Sequence, residues 1–144
     1  MSYFDFHVEK PQVAVISGSL EGNISVGSAI TFVEESGNTF NNVNNLSIQG
    51  DTLYLSHGHW LLRGFLGIAN SNNLSNNCEY AWYVEDVLKG TKGATVVAGK
   101  NGTDPAQLEL TVTSSNCPVK LKFSLSNGTT TVNSDHTSIV IMRA

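Results

Sequence analysis

Charge is scarce in this chain of 144 residues: Asp, Glu, Lys and Arg make up 14% of it, against about 25% in ordinary soluble domains. The eight Lys and Arg are scattered and outnumbered by twelve Asp and Glu, for a net charge of −4. Nothing here tracks a phosphate backbone, so nucleic acid is not expected as a partner. Long apolar runs are missing too, and no segment reaches the ~18 residues that a bilayer-spanning helix needs, so no membrane partner is expected. The opening MSYFDFHVEKPQV has no basic region followed by an apolar stretch, so no secretory leader is read and synthesis in a cytoplasm is expected. The two cysteines, Cys78 and Cys117, could form one bridge, although a reducing compartment favours free thiols. A helical period is absent as well. The best helical candidate, Val84–Lys89, is one turn stopped by Gly90.

What replaces charge is Asn, Ser, Thr and Gly, the residues of turns and exposed strand faces. The five N-x-S/T sequons, at Asn23, Asn45, Asn73, Asn101 and Asn127, are read as a by-product of that surface. Between the polar clusters lie short runs rich in β-branched and aromatic residues. Strands are predicted at Gln12–Ser17, Ala29–Glu34, Leu46–Gln49, Thr52–Ser56, His59–Ala69, Cys78–Glu85, Ala94–Ala98, Gln107–Thr113, Val119–Leu125 and Thr137–Arg143. Turn signals such as IQGD, AGKNGTDP and LSNGTT separate them. About ten short strands without a long helix indicate an all-β antiparallel sandwich or barrel. No internal repeat or linker divides it. Residues 1–20 read as an N-terminal arm and residues 21–144 as the domain.

Successive side chains of a strand point to opposite faces, so a half-buried strand alternates apolar with polar. Gln107–Thr113 and Val119–Leu125 alternate in this way. Three other strands do not. In His59–Ala69, Trp60, Leu62, Leu66 and Ile68 share one face, while Leu61, Phe65 and Gly67 share the other with Arg63. In Cys78–Glu85, Tyr80, Trp82 and Val84 oppose Ala81 and Tyr83. In Thr137–Arg143, Val140 and Met142 oppose Ile139 and Ile141. Strands with two dry faces are usual where helices cover a sheet, and no helix is predicted here. Long loops could supply the cover, but a surplus spread over three strands points to copies of the same chain. The predicted subunit interface is Leu61, Arg63, Phe65, Tyr83, Ile139 and Ile141. Arg63, a charge on an apolar face, either reaches water at the rim or needs a carboxylate such as Glu109.

The stretch DTLYLSHGHWLLRGFLGI resembles the segment of TNF/C1q-like jelly rolls in which a strand, a glycine turn and an aromatic residue begin the long central strand. The terminal TSIVIMRA is similar to the closing strand of that fold. The similarity covers Ala29 to Ala144 and is strongest to the jelly rolls of bacteriophage virion proteins. It implies a homotrimer whose long central and last strands line the three-fold axis. It also implies a non-enzymatic virion protein on the capsid surface, bound to the major capsid protein or another virion protein. The alternative is a receptor- or glycan-binding knob of a fibre or tail needle, using the loops Ala69–Cys78 and Gly99–Asp104. The polar face of Gln107–Thr113 departs from a wholly apolar axis.

Catalytic and metal chemistry find little support. His57-Gly58-His59 could present two imidazoles, and Gly50 with this pair resembles the first metal motif of cupins. That motif needs a Glu a few residues after the histidines, and Arg63 lies near that place. The next carboxylate is Glu79, and His7 and His136 lie at opposite ends of the chain. Ser134, Asp135, His136 and Ser138 are neighbours in sequence, read as a solvated turn and not as a triad. Glu34-Glu35 and Glu85-Asp86 are adjacent carboxylates, whereas glycoside hydrolysis needs two facing each other across a cleft. Neither cysteine has a nearby base to activate it. No catalytic residue, cofactor or metal is expected.

Overall fold

A computed structural model of the chain describes residues 12–33, 43–70, 78–95, 104–126 and 130–144. The described residues form ten strands: β1 Gln12–Ser19, β2 Thr31–Val33, β3 Leu46–Gln49, β4 Thr52–Leu55, β5 Gly58–Asn70, β6 Cys78–Val84, β7 Val87–Thr95, β8 Ala106–Val112, β9 Cys117–Ser126 and β10 Thr130–Arg143. All pair antiparallel, in the order β2-β1-β10-β5-β8-β7-β6-β9-β4-β3. The chain folds this ribbon into two layers, β2-β1-β10-β5-β8 and β7-β6-β9-β4-β3. They join where Thr91 of β7 pairs with Gln107 of β8. They join again at the other edge, where Ala29, just before β2, bridges Lys122 of β9 and the Phe32 N–H donates to the Gly50 carbonyl at 2.9 Å.

The alternation of residue types determines which side of each layer is buried. Trp60, Leu62, Leu66 and Ile68 of β5 meet Tyr80 and Trp82 of β6 and Leu121 and Phe123 of β9, all essentially inaccessible to water. The rings order the centre: Phe32 stacks on Trp82 at 6.3 Å and Tyr80 meets Phe123 edge-on at 5.8 Å. Fully burying each such side chain contributes about 1.5–3 kcal/mol, provided that its polar atom finds a partner. Each does. Trp60 Nε1 donates to the Ser56 carbonyl at 3.0 Å, Trp82 Nε1 to the Ala106 carbonyl at 3.1 Å, and the Tyr80 hydroxyl to the Asp104 carbonyl at 2.8 Å.

Most strand predictions hold, with ends shifted by a few residues. The fold departs from expectation in three places. The single helical turn at Val84–Lys89 is instead the tip of the β6–β7 hairpin, where Val84 pairs with Val87. Glu85 and Asp86 both take positive φ, 49° and 65°, the conformation of a two-residue hairpin turn whose twist suits the flanking strands. Cross-strand pairing overrides the helix-forming character of Glu, Leu and Lys. The strand expected at Ala94–Ala98 is β7, which starts at Val87; residues 96–98 lie outside the described residues. Its KGTKG sequence hides it, because β7 turns the corner between layers and its glycines touch backbone. A Cβ at Gly90 would lie 2.1 Å from the Gln107 carbonyl oxygen, and one at Gly93 would lie 2.5 Å from the Tyr80 ring. Finally, the arm assigned to residues 1–20 does not end at the domain edge. Gln12–Ser19 is β1, paired with both β10 and β2 and contributing buried Ala14 and Ile16 to the core. Residues 1–11 lie outside the described residues.

Candidate assembly face

The first layer has its core side filled, and the described residues leave its other side open. The register aligns the outer side chains in rows. Val13 of β1 lies opposite Met142 of β10, and Met142 opposite Leu61 of β5. Val15 lies opposite Val140, and Val140 opposite Arg63; Ser138 follows opposite Phe65. Val15 and Leu61 are 46% and 45% exposed. Val13, Phe65, Val140 and Met142 are half-buried. Three successive rows across these hydrogen-bonded strands thus present mainly aliphatic or aromatic surface, interrupted by Arg63 and Ser138. Beyond β5 the surface becomes polar: Leu61 pairs with Glu109 and Arg63 with Gln107 on β8. Arg63 is exposed and makes no ion pair among the described residues.

Leu61, Arg63 and Phe65, three residues of the expected interface, lie together on the outer side of β5. Ile139 and Ile141 do not. Both are fully buried in the core of the single chain, and the outer side of β10 carries Ser138, Val140 and Met142 in their place. The expected interface thus takes the wrong pair of β10, because four successive apolar residues give no sign of which pair faces the core. Tyr83 lies on the outer side of the second layer, opposite Lys120, and so belongs to another surface. Val13, Val15, Val140 and Met142, which the expected interface does not include, lie on this outer side. The alternation QVAVIS could have flagged the first two, had β1 been placed in the sheet.

The candidate chemical groups take structural roles. His59 is exposed, its Nδ1 2.7 Å from Thr111 Oγ1 and its Nε2 3.0 Å from Glu109 Oε1, a cross-strand bridge between β5 and β8. No cluster of three His, Cys, Asp or Glu able to hold a metal occurs among the described residues. Ser134, Asp135 and His136 sit at a bulge within β10, where the register shifts between Asn133 and Ser138. The Ser17 hydroxyl donates to the Ser134 carbonyl at 2.8 Å, and the Thr137 hydroxyl donates to the Asn133 carbonyl at 2.9 Å. Backbone clamping of this kind is not a nucleophilic arrangement. Cys78 and Cys117 are buried free thiols. Burial, aided by Glu79, pushes the Cys78 thiol up to about 12; burial and then Glu85 raise that of Cys117. Both are the opposite of activated. Residues 34–42, which include Glu34-Glu35, and residues 71–77 and 96–103, where the sequence leads one to expect binding loops, lie outside the described residues.

No protein-family model matches the sequence, and no curated protein matches it. Solved structures do match in fold. Murine APRIL superposes over 94% of this chain and 100% of its own, with a TM-score of 0.61 at 10% identity. Eiger TNF from S. frugiperda superposes over 93% and 92%, with a TM-score of 0.65 at 9% identity. The chain is thus an all-β, TNF-like jelly roll.

Proposed function

We propose that this TNF-like jelly roll is a non-enzymatic structural protein that acts as a homotrimer through the outer side of β1, β10 and β5. The observation that supports this reading is the registered apolar stripe from Val13 through Met142 to Leu61, beside Val15, Val140 and Phe65. Contiguous exposed apolar surface on a soluble fold marks an interaction site. A strand surface repeated identically on every copy is most simply covered by another copy. In the setting that the sequence resemblance implies, the trimer decorates a bacteriophage capsid and binds its major capsid protein. The partner groups that Arg63 needs on assembly then come from a neighbouring protomer; Glu109, which lies opposite Leu61 on the same face and bridges to His59, is a carboxylate of that face.

Mass measurement by sedimentation equilibrium at micromolar concentration tests the first half: a trimer is expected, and a monomer throughout would overturn it. Co-sedimentation with purified phage shells lacking decoration tests the second. Trimers that ignore such shells would leave the assembly intact but remove the virion role.

A further inference from the structure

The outer side of the second layer is of different chemistry. Ser47 of β3 lies opposite Tyr54 of β4, and Tyr54 opposite Pro118 of β9; Gln49 lies opposite Thr52, and Lys120 opposite Tyr83. Three shallow cavities of about 220, 200 and 280 Å³ open along this surface, and Tyr54 lines all of them. The first also holds Tyr83, Glu85, Asp86 and Lys120. Ser47 and Asn116 line both of the others. Through that shared Tyr54 they adjoin as one groove, with Tyr83 and the carboxylates in the first cavity and amides and hydroxyls in the other two.

The charges in the groove nearly cancel. Lys120 Nζ stands 3.8 Å from Asp51, and Lys122 Nζ stands 3.8 Å from Asp86 and 4.5 Å over the Tyr83 ring. Glu85 is exposed and has no ion-pair partner among the described residues. Three ligand classes fit poorly. An anion would meet the uncompensated Glu85, and each lysine is already committed to a carboxylate. A metal ion lacks a third ligand, since no such cluster occurs among the described residues. An apolar ligand would strand the amides and carboxylates without hydrogen-bond partners. A ligand rich in hydroxyls meets all the groups at once. Its O–H groups donate to Glu85, Asp86 and the amide oxygen of Asn116, and its oxygens accept from the Asn116 amide N–H and the Ser47 hydroxyl, which line the other two cavities. Its C–H faces lie against tyrosine rings, whose amphipathic character suits a ligand apolar on one side and wet on the other.

We infer that this groove binds a neutral oligosaccharide, with Tyr54 as its central platform and Glu85 as the hydroxyl acceptor at one end. The inference goes beyond the structural role proposed above. The groove lies on the layer opposite the assembly face, so a trimer carries three copies of it, all turned outward. The hairpin tip supports the assignment. Asn-Gly is the pair that fits a tight turn with two positive-φ positions, yet Glu and Asp stand there, at the mouth of the first cavity.

The test uses the full chain in its native oligomeric state against an array of neutral oligosaccharides of two to six hexose or N-acetylhexosamine units. Hits are then titrated by calorimetry. Saturable binding is expected, weakened at least tenfold by Tyr54→Ala and several-fold by Glu85→Gln. Glu85→Gln is a surface change that cannot unfold the sandwich, so it reports even if Tyr54→Ala damages the fold. A blank neutral array, recognition confined to anionic glycans, or neutral binding unaltered in both variants would each overturn the inference. None of these outcomes depends on whether the chain is a trimer or binds a capsid.

Discussion

Replacing Leu61 with Asp separates assembly from folding. In the single chain Leu61 is 45% exposed, so roughly half of the ~1.5–3 kcal/mol gained on burying a leucine is left for an interface, about 1 kcal/mol. An aspartate there must also be desolvated on assembly, an effective cost of several kcal/mol per ion, taken as about 2 kcal/mol for a site at the interface rim. Each protomer of a trimer then loses about 3 kcal/mol and the trimer about 9 kcal/mol, or some six orders of magnitude in its association constant. For a monomer–trimer equilibrium the half-assembly concentration varies as the inverse square root of that constant. The midpoint should therefore rise about a thousandfold. The folded monomer suffers far less. Leu61 lies opposite Glu109, and like charges directly opposite on a sheet cost about 0.2–1 kcal/mol, with a similar loss for strand propensity. Sedimentation equilibrium from nanomolar to 100 µM reads the first effect, and the urea midpoint of a dilute monomer reads the second. An unmoved assembly midpoint would refute the reasoning, and so would unfolding in step with dissociation.

Phe65→Asp should likewise dissociate the oligomer with the sandwich intact, whereas Ile141→Ala, a truncation at a fully buried position, should cost about 2–5 kcal/mol of folding stability at unchanged assembly per folded chain. Circular dichroism melts beside native mass spectrometry distinguish the two; similar behaviour would mean that the parity of β10 is misassigned. The Cys78 thiol, held up near 12 from an ordinary 9.0, keeps its proton in the native state after an unfolded chain has lost it. The contribution is complete below about pH 9, and stability should then fall by about 1.4 kcal/mol per pH unit toward pH 12. Cys78→Ala should flatten that part of the pH profile, measured by urea denaturation, and an unchanged slope would contradict the assignment. Replacing Glu85-Asp86 by Asn-Gly should stabilise the β6–β7 hairpin by about 1 kcal/mol in the same assay, since both positions have positive φ. It should also abolish saccharide binding; a destabilised hairpin would show that the carboxylates brace the turn.

The opposite fates of His59–Ala69 and Thr137–Arg143 show where local pattern stops being informative. Trp60, Leu62, Leu66 and Ile68 could be assigned to the core because Arg63 marks the other side of their strand. Ile139 and Ile141 carry no such mark against Val140 and Met142, and the assignment failed. Composition and alternation by themselves determined the all-β class, most of the strands and the surplus of apolar surface, because strand propensity and period are properties of neighbours along the chain. Only the tertiary structure decided which side of β10 faces inward, that β1 belongs to the sheet, that β7 turns the corner, and that Tyr54 and Tyr83 share a groove. Those depend on pairing between strands far apart in sequence, and a shift of one residue in such a register exchanges every inner side chain for an outer one.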